Sequence, residues 1–429
     1  MKIWSKIAVC CLWWFATSIC TIGQVWAVMD IEIVQGRGNK VSIMVEDFSN
    51  QQQYPDRFKQ YLSEIIRADL KNSGHFLLVK TVYGKLIPRL RGSIKPIGQR
   101  LEVSYQLITG GDKTDQVGGN NSQTRILLSG VYKVAPNQIR KVAHRISNDI
   151  YQQIIGRPGV FETKLAYVLV NGKGRDKTYS IVVSDYDGFD TQTLLQSSAP
   201  IMSLSWSPDG KKLAYVSFEG HRSAIYIQDL ESGRREVVSK LPGINGAPSW
   251  SPDGTKLALV LTTSGYPKIH MLDLTSKRLT QLTHDWYLDT EPNWAPDGRS
   301  LVFTSDRSGA PQIYRLELGN GQVERVTYQG SYNARASFGG HGHHIVFLHR
   351  NHGLFTVATQ AINERKLRVL ATVGASGEAP TISPNGEMVV FVRNQHGRGT
   401  LSVISIDGER GMILPGIQGE IRDPAWSAY

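Results

Sequence analysis

A five-residue motif that returns at a constant interval is the feature of this 429-residue sequence that most constrains its fold. The motif Trp-Ser-Pro-Asp-Gly occurs three times, once with alanine in place of serine, starting at Trp206, Trp250 and Trp294. Further steps of the same 44 residues reach Phe338, Ile382 and Trp426. A fixed period of this length indicates a chain built from one repeated supersecondary unit.

Each repeat carries four short segments that are typical of β-strands. The first segment ends at the tryptophan. Pro-Asp-Gly then supplies a turn, because proline presets one backbone angle and glycine accepts the left-handed angle that follows. In the first unit the other three segments are residues 213–216, 225–227 and 237–238. Four strands in a repeat of this length predict the blade of a β-propeller.

The last repeat is incomplete, because the chain ends three residues after Trp426. Its missing strand segments lie upstream, at residues 165–168, 181–183 and 193–195. We therefore predict a six-bladed all-β propeller at residues 161–429, closed by strands from both ends of that region. Closure removes exposed sheet edges. A superhelical solenoid is the alternative, but it would need caps and would not divide one repeat between two ends.

Residues 28–155 lack the repeat and predict a small α/β domain. Two segments carry apolar residues at helical spacing; glycines at positions 74 and 156 end them. Residues 41–45, 76–79, 101–105 and 126–128 are typical of strands. The glycines and proline of residues 156–160 indicate a linker to the propeller.

Residues 1–27 predict a secretory signal peptide. Lys2 and Lys6 precede an apolar stretch, and Ala27 ends a plausible cleavage site. An uncleaved membrane anchor is the alternative, although Gly23 and Gln24 interrupt the apolar run. All three cysteines lie in this segment, so the mature chain would contain no thiol and no disulfide.

The formal net charge of +11 raises the possibility of nucleic-acid or membrane-surface binding. The basic residues are dispersed along the chain, and an exported protein does not meet cytoplasmic nucleic acid. No nucleic-acid partner is expected.

Several segments outside the repeat match one family closely. They are residues 68–74 (Ala-Asp-Leu-Lys-Asn-Ser-Gly), 105–107 (Tyr-Gln-Leu), 184–188 (Ser-Asp-Tyr-Asp-Gly) and 218–219 (Phe-Glu). Together with the signal peptide, the α/β domain and the repeats, they resemble the TolB family of the Tol-Pal cell-envelope system. The resemblance covers essentially the whole mature chain. It implies a monomeric, non-enzymatic binding scaffold of the periplasm that supports outer-membrane integrity and cell division.

The resemblance also implies two partner sites. The lipoprotein Pal, through which the protein would be peripheral to the outer membrane, would bind loops leading into consecutive blades, at Ile244, Asn245, Gly246, Ala247, Thr290, Glu291 and Arg335. Family members often have histidine at the position of Ile244 and an acidic residue at that of Arg335. The inner-membrane protein TolA would bind the segment formed by Met29, Asp30, Ile31, Glu32, Ile33, Val34 and Gln35. The alternation in this segment suits either addition to a partner's sheet edge or an edge strand of its own domain.

Catalytic chemistry finds little support in the sequence. Neither a Gly-x-Ser-x-Gly nucleophile motif nor a phosphate-binding Gly-Lys-Ser/Thr motif is present. The position in the turn explains the repeated aspartates, because such a side chain caps its own backbone. The repeated tryptophans are predicted to be inter-blade core rather than carbohydrate-stacking surfaces. A periplasmic propeller hydrolase, peptidase or glycan-active, remains the alternative function, and no catalytic residue or cofactor is assigned.

Five histidines lie within a span of twelve residues, at His341, His343, His344, His349 and His352. A His-x-His-His pattern can bind zinc or nickel. Successive strand residues point to opposite faces of a sheet, however, so the five side chains are not expected to converge. No metal site is assigned here.

Overall fold

The fold is known from a computed structural model that describes residues 40–50, 56–80, 87–110, 124–374, 379–395, 398–415 and 419–429. The predicted signal peptide and the predicted TolA-binding segment, residues 29–35, lie outside these residues. Within these ranges, no helix combines the length and the apolar character that a membrane span requires.

The N-terminal domain is built on one six-stranded sheet. Its strands are β1 (Val41–Val45), β2 (Ser49–Asn50), β3 (Phe76–Leu78), β4 (Arg89–Ile97), β5 (Arg100–Thr109) and β6 (Arg125–Val134). The order across the sheet is β3-β1-β4-β5-β6, with β2 also pairing with β4. Strand β1 runs parallel to its two neighbours, whereas β5 runs antiparallel to both β4 and β6. The predicted α/β class is confirmed.

Two helices of equal length complete this domain, α1 (Asp56–Asn72) and α2 (Ile139–Ile155). Both predicted helix ends are confirmed. Gly74 has φ 84° after α1, and Gly156 has φ 79° after α2. The amide of Gly156 also donates to the carbonyl of Gln152 at 3.0 Å, which closes the last turn of the helix.

Strand β4 was not predicted from the sequence. Its residues Arg-Leu-Arg-Gly-Ser-Ile-Lys-Pro-Ile combine charges, a glycine and a proline, all of which are poor strand signals. Tertiary packing requires a glycine at position 92, because a Cβ there would lie 2.3 Å from Phe48 Cε1. The strand exists because it closely packs against the aromatic ring and pairs on both sides.

The propeller consists of six four-stranded antiparallel sheets. Their strands, in chain order, are β7 (Lys164–Asn171), β8 (Thr178–Asp185), β9 (Gln192–Ser197), β10 (Ile201–Trp206), β11 (Lys212–Ser217), β12 (Ala224–Asp229), β13 (Arg235–Ser239), β14 (Asn245–Trp250), β15 (Lys256–Leu261), β16 (Lys268–Asp273), β17 (Leu279–Gln281), β18 (Asp289–Trp294), β19 (Ser300–Ser305), β20 (Gln312–Glu317), β21 (Val323–Arg325), β22 (Tyr332–Phe338), β23 (His344–Asn351), β24 (Leu354–Ala361), β25 (Leu367–Gly374), β26 (Thr381–Ile382), β27 (Met388–Gln395), β28 (Arg398–Ser405), β29 (Gly411–Ile413) and β30 (Glu420–Trp426). Blades 1 to 5 are the successive groups of four from β10 to β29.

Blade 6 joins the two ends of the propeller region. Strand β30 pairs antiparallel with β7, with Trp426 opposite Leu165, and β8 and β9 complete the sheet. The innermost strands β10, β14, β18, β22, β26 and β30 contact one another in sequence, and β30 also contacts β10. The prediction of six blades closed by strands from both ends of the region is confirmed.

The repeated tryptophans lie between blades. Trp206 donates from Nε1 to the carbonyl of Ala425 in blade 6 at 3.1 Å, and Trp250 donates likewise to Ser205 in blade 1 at 3.2 Å. Both tryptophans are at least nine-tenths buried. Each ring therefore packs against the preceding blade, which confirms the predicted role in the inter-blade core.

The Pro-Asp-Gly turns show why aspartate recurs. In the first repeat, Asp209 Oδ1 accepts from the amide of Lys211 at 3.1 Å and from Ser207 Oγ at 2.5 Å. Asp253 and Asp297 accept the corresponding amides. The fourth repeat forms a turn of the same kind without the motif, since the amide of Gly342 donates to the carbonyl of Gly339 at 2.8 Å. The predicted turn role of the aspartates is confirmed.

One apolar core is shared by the N-terminal domain and the propeller. It includes Tyr151 from α2, Phe161 just before β7, Tyr186 just after β8 and Trp426 in β30. Val160, within the predicted linker, is only 1% exposed in the same core. The chain between α2 and β7 is thus packed rather than free.

Candidate functional site

The innermost strands share a local distortion that shapes the centre of the propeller. Five of the six inner strands have a register shift of the β-bulge type near their middle. At each bulge one non-glycine residue has a positive φ between 45° and 56°, and these residues are separated by multiples of 44: Ser203, Ala247, Glu291, Arg335 and Asp423. A bulge interrupts the ladder and re-aims a side chain. Here it places one residue from each of these five blades in a ring around the centre.

A central channel with a volume of about 330 Å³ runs between the inner strands and is lined by residues from all six blades. Three of the residues at bulges give it charge. Arg335 Nε lies 3.1 Å from Glu291 Oε1, and Arg335 Nη1 lies 3.5 Å from Asp423 Oδ1. The guanidinium therefore connects a carboxylate of blade 3 with one of blade 6. The Arg335 side chain remains 35% exposed, so the bridge is accessible to a molecule at the channel.

Glu291 is held in place from its other side as well. Its Oε2 accepts from Thr304 Oγ1 at 2.8 Å and from the backbone amide of Arg335 at 3.1 Å. A carboxylate with three separate donors is held in one orientation by the scaffold. The charged ring therefore presents oriented charges to a molecule at the channel.

The structure brings the predicted Pal-binding residues to this region, but not as loops. Gly246 and Ala247 lie in β14, and Thr290 and Glu291 lie in β18, so the prediction of loops was wrong for these residues. The bulge is the reason: proline and glycine near a bulge resemble a loop in sequence, yet the strand continues on both sides. Ala247, Glu291 and Arg335 all line the channel.

Two predicted Pal-binding residues differ sharply in exposure. Ile244, just before β14, is 55% exposed, whereas Asn245, the first residue of that strand, is fully buried. The Asn245 amide accepts from Leu241 N at 2.9 Å and donates to the Leu241 carbonyl at 2.7 Å. Asn245 thus holds the loop that presents Ile244. Asp289 and Asn333, at the same repeat position, are buried in the same way.

Exposed aromatic and aliphatic side chains cluster in the β15–β16 turn and in the loop between blades 2 and 3, and they were not identified from the sequence. We call Tyr266, Trp286, Tyr287 and Leu288 the aromatic rim. Trp286 is 84% exposed, and its ring meets that of Tyr266 edge-on at 6.3 Å. Three consecutive large apolar residues in an inter-blade loop were the available signal, since such exposed groups mark interaction surfaces.

The aromatic rim and the N-terminal domain lie at opposite ends of the propeller. Successive strands of a blade are antiparallel, so inter-blade loops and second-to-third-strand turns share one end. Ile244 and the aromatic rim occupy that end. The N-terminal domain contacts the other end: His75 Nε2 lies 3.3 Å from Glu387 in the β26–β27 turn, and Lys40 Nζ lies 3.4 Å from Glu409 in the β28–β29 turn.

The five clustered histidines do not form one site. His349 is buried and its Nδ1 lies 2.8 Å from Asn333 Oδ1. His341, His343 and His344 are exposed at the opposite end of β23. Along the strand, His344 and His349 are about 16 Å apart at the usual rise per residue. Where the structure is described, the only set of three potential metal-ligating side chains in close proximity is Asp69, His144 and Asp187. Donors already occupy its carboxylates, Tyr186 on Asp69 and Arg140 on Asp187.

Comparison with known families gives two matches. The TolB beta propeller domain family matches residues 151–429, and the TolB amino-terminal domain family matches residues 29–83. The first match alone covers more than half of the chain.

Individual relatives agree with the family matches. The Tol-Pal system protein TolB of Legionella pneumophila (strain Corby) is 41% identical over 238 residues, covering 52% of this chain and 53% of the relative. That of Methylococcus capsulatus is 39% identical over 232 residues, covering 52% and 54%. The aligned stretch thus spans about half the length of these relatives. The crystal structure of TolB from Acinetobacter baumannii is 38% identical, covers 91% of this chain and 97% of that chain, and superposes with a TM-score of 0.79.

Proposed function

The chain belongs to the TolB family, and from this premise we propose that it is a non-enzymatic protein-binding scaffold of the periplasm. It docks the lipoprotein Pal on the propeller and TolA through its mature N-terminal segment. In this way it supports outer-membrane integrity and constriction of the cell envelope during division.

The observation that carries the proposal is the combination of a charged channel with exposed apolar side chains. Glu291, Arg335 and Asp423 form a charged ring in the channel, and Ile244 and the aromatic rim lie at the end of the propeller where the inner strands begin. Exposed aromatic anchors together with oriented polar groups are the combination that protein interfaces favour. A closed propeller also presents these groups on a rigid frame, which limits the entropy lost on docking.

The alternative, a propeller hydrolase, would use paired carboxylates or an activated nucleophile. The two channel carboxylates, Glu291 and Asp423, both contact Arg335. That arrangement supports recognition over hydrolysis.

A double variant in the inner strands of blades 2 and 3 tests Pal docking. Ala247→Glu and Thr290→Arg introduce charge and bulk, and both residues suit the backbone, because Glu291 and Arg422 occupy the same positions in other blades. We expect the affinity of the mature protein for purified Pal to fall at least about tenfold, since charges without partners become buried in the interface. Surface plasmon resonance or calorimetry measures this change.

The control is Glu324→Arg, a charge reversal at an exposed residue of the outer strand β21. It should bind Pal like the wild-type protein, and all variants should keep the wild-type circular dichroism spectrum. Wild-type affinity in the folded double variant would move the Pal site elsewhere.

A deletion tests the second partner separately. Removing residues 28–35 should abolish binding to purified TolA and leave binding to Pal unchanged. The physical reason is that an extended segment binds by main-chain pairing, which requires the segment itself rather than the propeller. Retention of TolA binding by the shortened protein would contradict this assignment.

A further inference from the structure

A buried ionic cluster joins the N-terminal domain to blade 6. His144 of α2 lies with Nδ1 2.9 Å from Oδ2 of Asp69 in α1. The hydroxyl of Tyr186, in the turn after β8, donates to the other oxygen of Asp69 at 2.5 Å. On its opposite side, His144 Nε2 lies 3.8 Å from Oδ2 of Asp187 in the same turn. The cluster thus spans both domains through His144.

The cluster is enclosed by the shared core. Asp69 is 1% exposed, His144 2% and Tyr186 0%. The Tyr186 ring meets the His144 ring edge-on at 5.6 Å and the Phe161 ring at 5.6 Å. Water therefore has little access to the ionic groups, and each unsatisfied polar atom there carries its full desolvation cost.

Histidine chemistry makes this arrangement sensitive to protons. A neutral imidazole has one N–H and one acceptor nitrogen. With its Nδ1 donating to Asp69, neutral His144 would direct a buried acceptor at the carboxylate of Asp187, and Nε2 has no hydrogen-bond partner. Only the imidazolium, which carries a proton on each nitrogen, can donate towards both carboxylates. Burial lowers the pKa of His144, but Asp69 and then Asp187 raise it by more, so the net pKa lies above its ordinary value.

The other charged groups facing the cluster come from three elements. Arg140, one turn before His144 in α2, contacts Asp187 and lies with Nε 3.2 Å from Asp185 at the end of β8. Lys164 of β7 contacts the other oxygen of Asp185 at 2.5 Å. Arg140 opposes the charge on His144, although less strongly than the carboxylates favour it.

We propose that His144 is a protonation-dependent latch between the two domains. The imidazolium bridges Asp69 of the N-terminal domain to Asp187 of the propeller, and loss of its proton loosens the junction. The proposal is independent of the docking function proposed above.

The sign of the effect follows from linkage. A histidine whose pKa is raised in the closed state stabilises that state fully below the ordinary pKa, about 6.5. The stabilisation is lost as pH rises through the raised pKa of the closed state. Between these two values, the equilibrium constant for opening the junction should increase by up to about tenfold per pH unit.

The first test uses the wild-type protein. Nitrogen-15 NMR of the imidazole should show both nitrogens of His144 mostly protonated at pH 6.5, where an ordinary histidine is half neutral. A mostly neutral ring at pH 6.5, carrying its proton on Nδ1 only, would overturn the proposal.

The second test measures the junction itself. Amide hydrogen exchange, corrected for the intrinsic effect of pH, should show protection of α2 and residues 186–191 falling as pH rises above 6.5. His144→Gln should lower that protection at low pH and remove its dependence on pH. The control, His343→Gln at an exposed histidine, should behave like the wild-type protein. Wild-type pH dependence in His144→Gln would overturn the latch; if that variant fails to fold, the NMR measurement decides.

Discussion

Replacing Trp426 with alanine should lower the free energy of unfolding by about 3–5 kcal/mol, the usual cost of truncating a buried aromatic residue. Trp426 is 5% exposed and lies at the end of β30, opposite Leu165 of β7. Its Nε1 donates to Thr163 Oγ1 at 2.8 Å. The indole belongs to the core shared with the N-terminal domain. Its loss therefore weakens both the closure of the propeller and the packing of the two domains.

Urea denaturation followed by circular dichroism measures this cost. Trp286→Ala is the matched control, because it removes the same side chain from a position that is 84% exposed. The control should change the free energy of unfolding by less than about 0.5 kcal/mol. Equal effects of the two substitutions would contradict the closing role of Trp426.

Restoring the repeat motif at Gly340 should destabilise the protein rather than stabilise it. Proline occupies this position in the first three blades, so consensus reasoning favours Gly340→Pro. In the structure, however, a Cβ on Gly340 would lie 1.6 Å from the carbonyl oxygen of Pro384 in blade 5. The obstacle is backbone, which cannot move like a side chain. We expect a loss of about 3 kcal/mol, the upper part of the usual range for overpacking.

The neighbouring consensus change provides the control. His341→Asp introduces the capping residue of the other turns at an exposed position in the same turn. It should be neutral or stabilising by less than about 1 kcal/mol, because it adds one local hydrogen bond. Thermal unfolding monitored by calorimetry distinguishes the two variants. A melting temperature of Gly340→Pro at or above that of the wild-type protein would refute the close approach of blades 4 and 5.

Much of the architecture was predictable because its signals are local. The 44-residue period, the turns and the unfinished last repeat together required six blades, and Trp426 identified the closing strand. Strand β4 was missed because its residues are poor strand formers on their own. Gly92 is suitable there only because Phe48, distant in sequence, fills the space a side chain would need.

The assignment of the Pal site stays a prediction, and the structure adds detail that the sequence did not show. Ala247, Glu291 and Arg335 line the channel, and they do so from bulged strands rather than from loops. Asn245 was grouped with surface residues, yet its side chain is buried in hydrogen bonds to the preceding loop. The aromatic rim was overlooked, because the sequence does not show which loop residues the packing of the blades leaves exposed.

From the sequence alone came the blade count, the strand order within each blade and the turn role of the repeated aspartates, since periodicity and turn chemistry act between near neighbours. The tertiary structure alone decided which side chains line the channel, which glycine must remain a glycine, and how His144 meets both Asp69 and Asp187. Those outcomes depend on atoms brought together from distant parts of the chain, where burial and close approach, rather than local preference, set the energy.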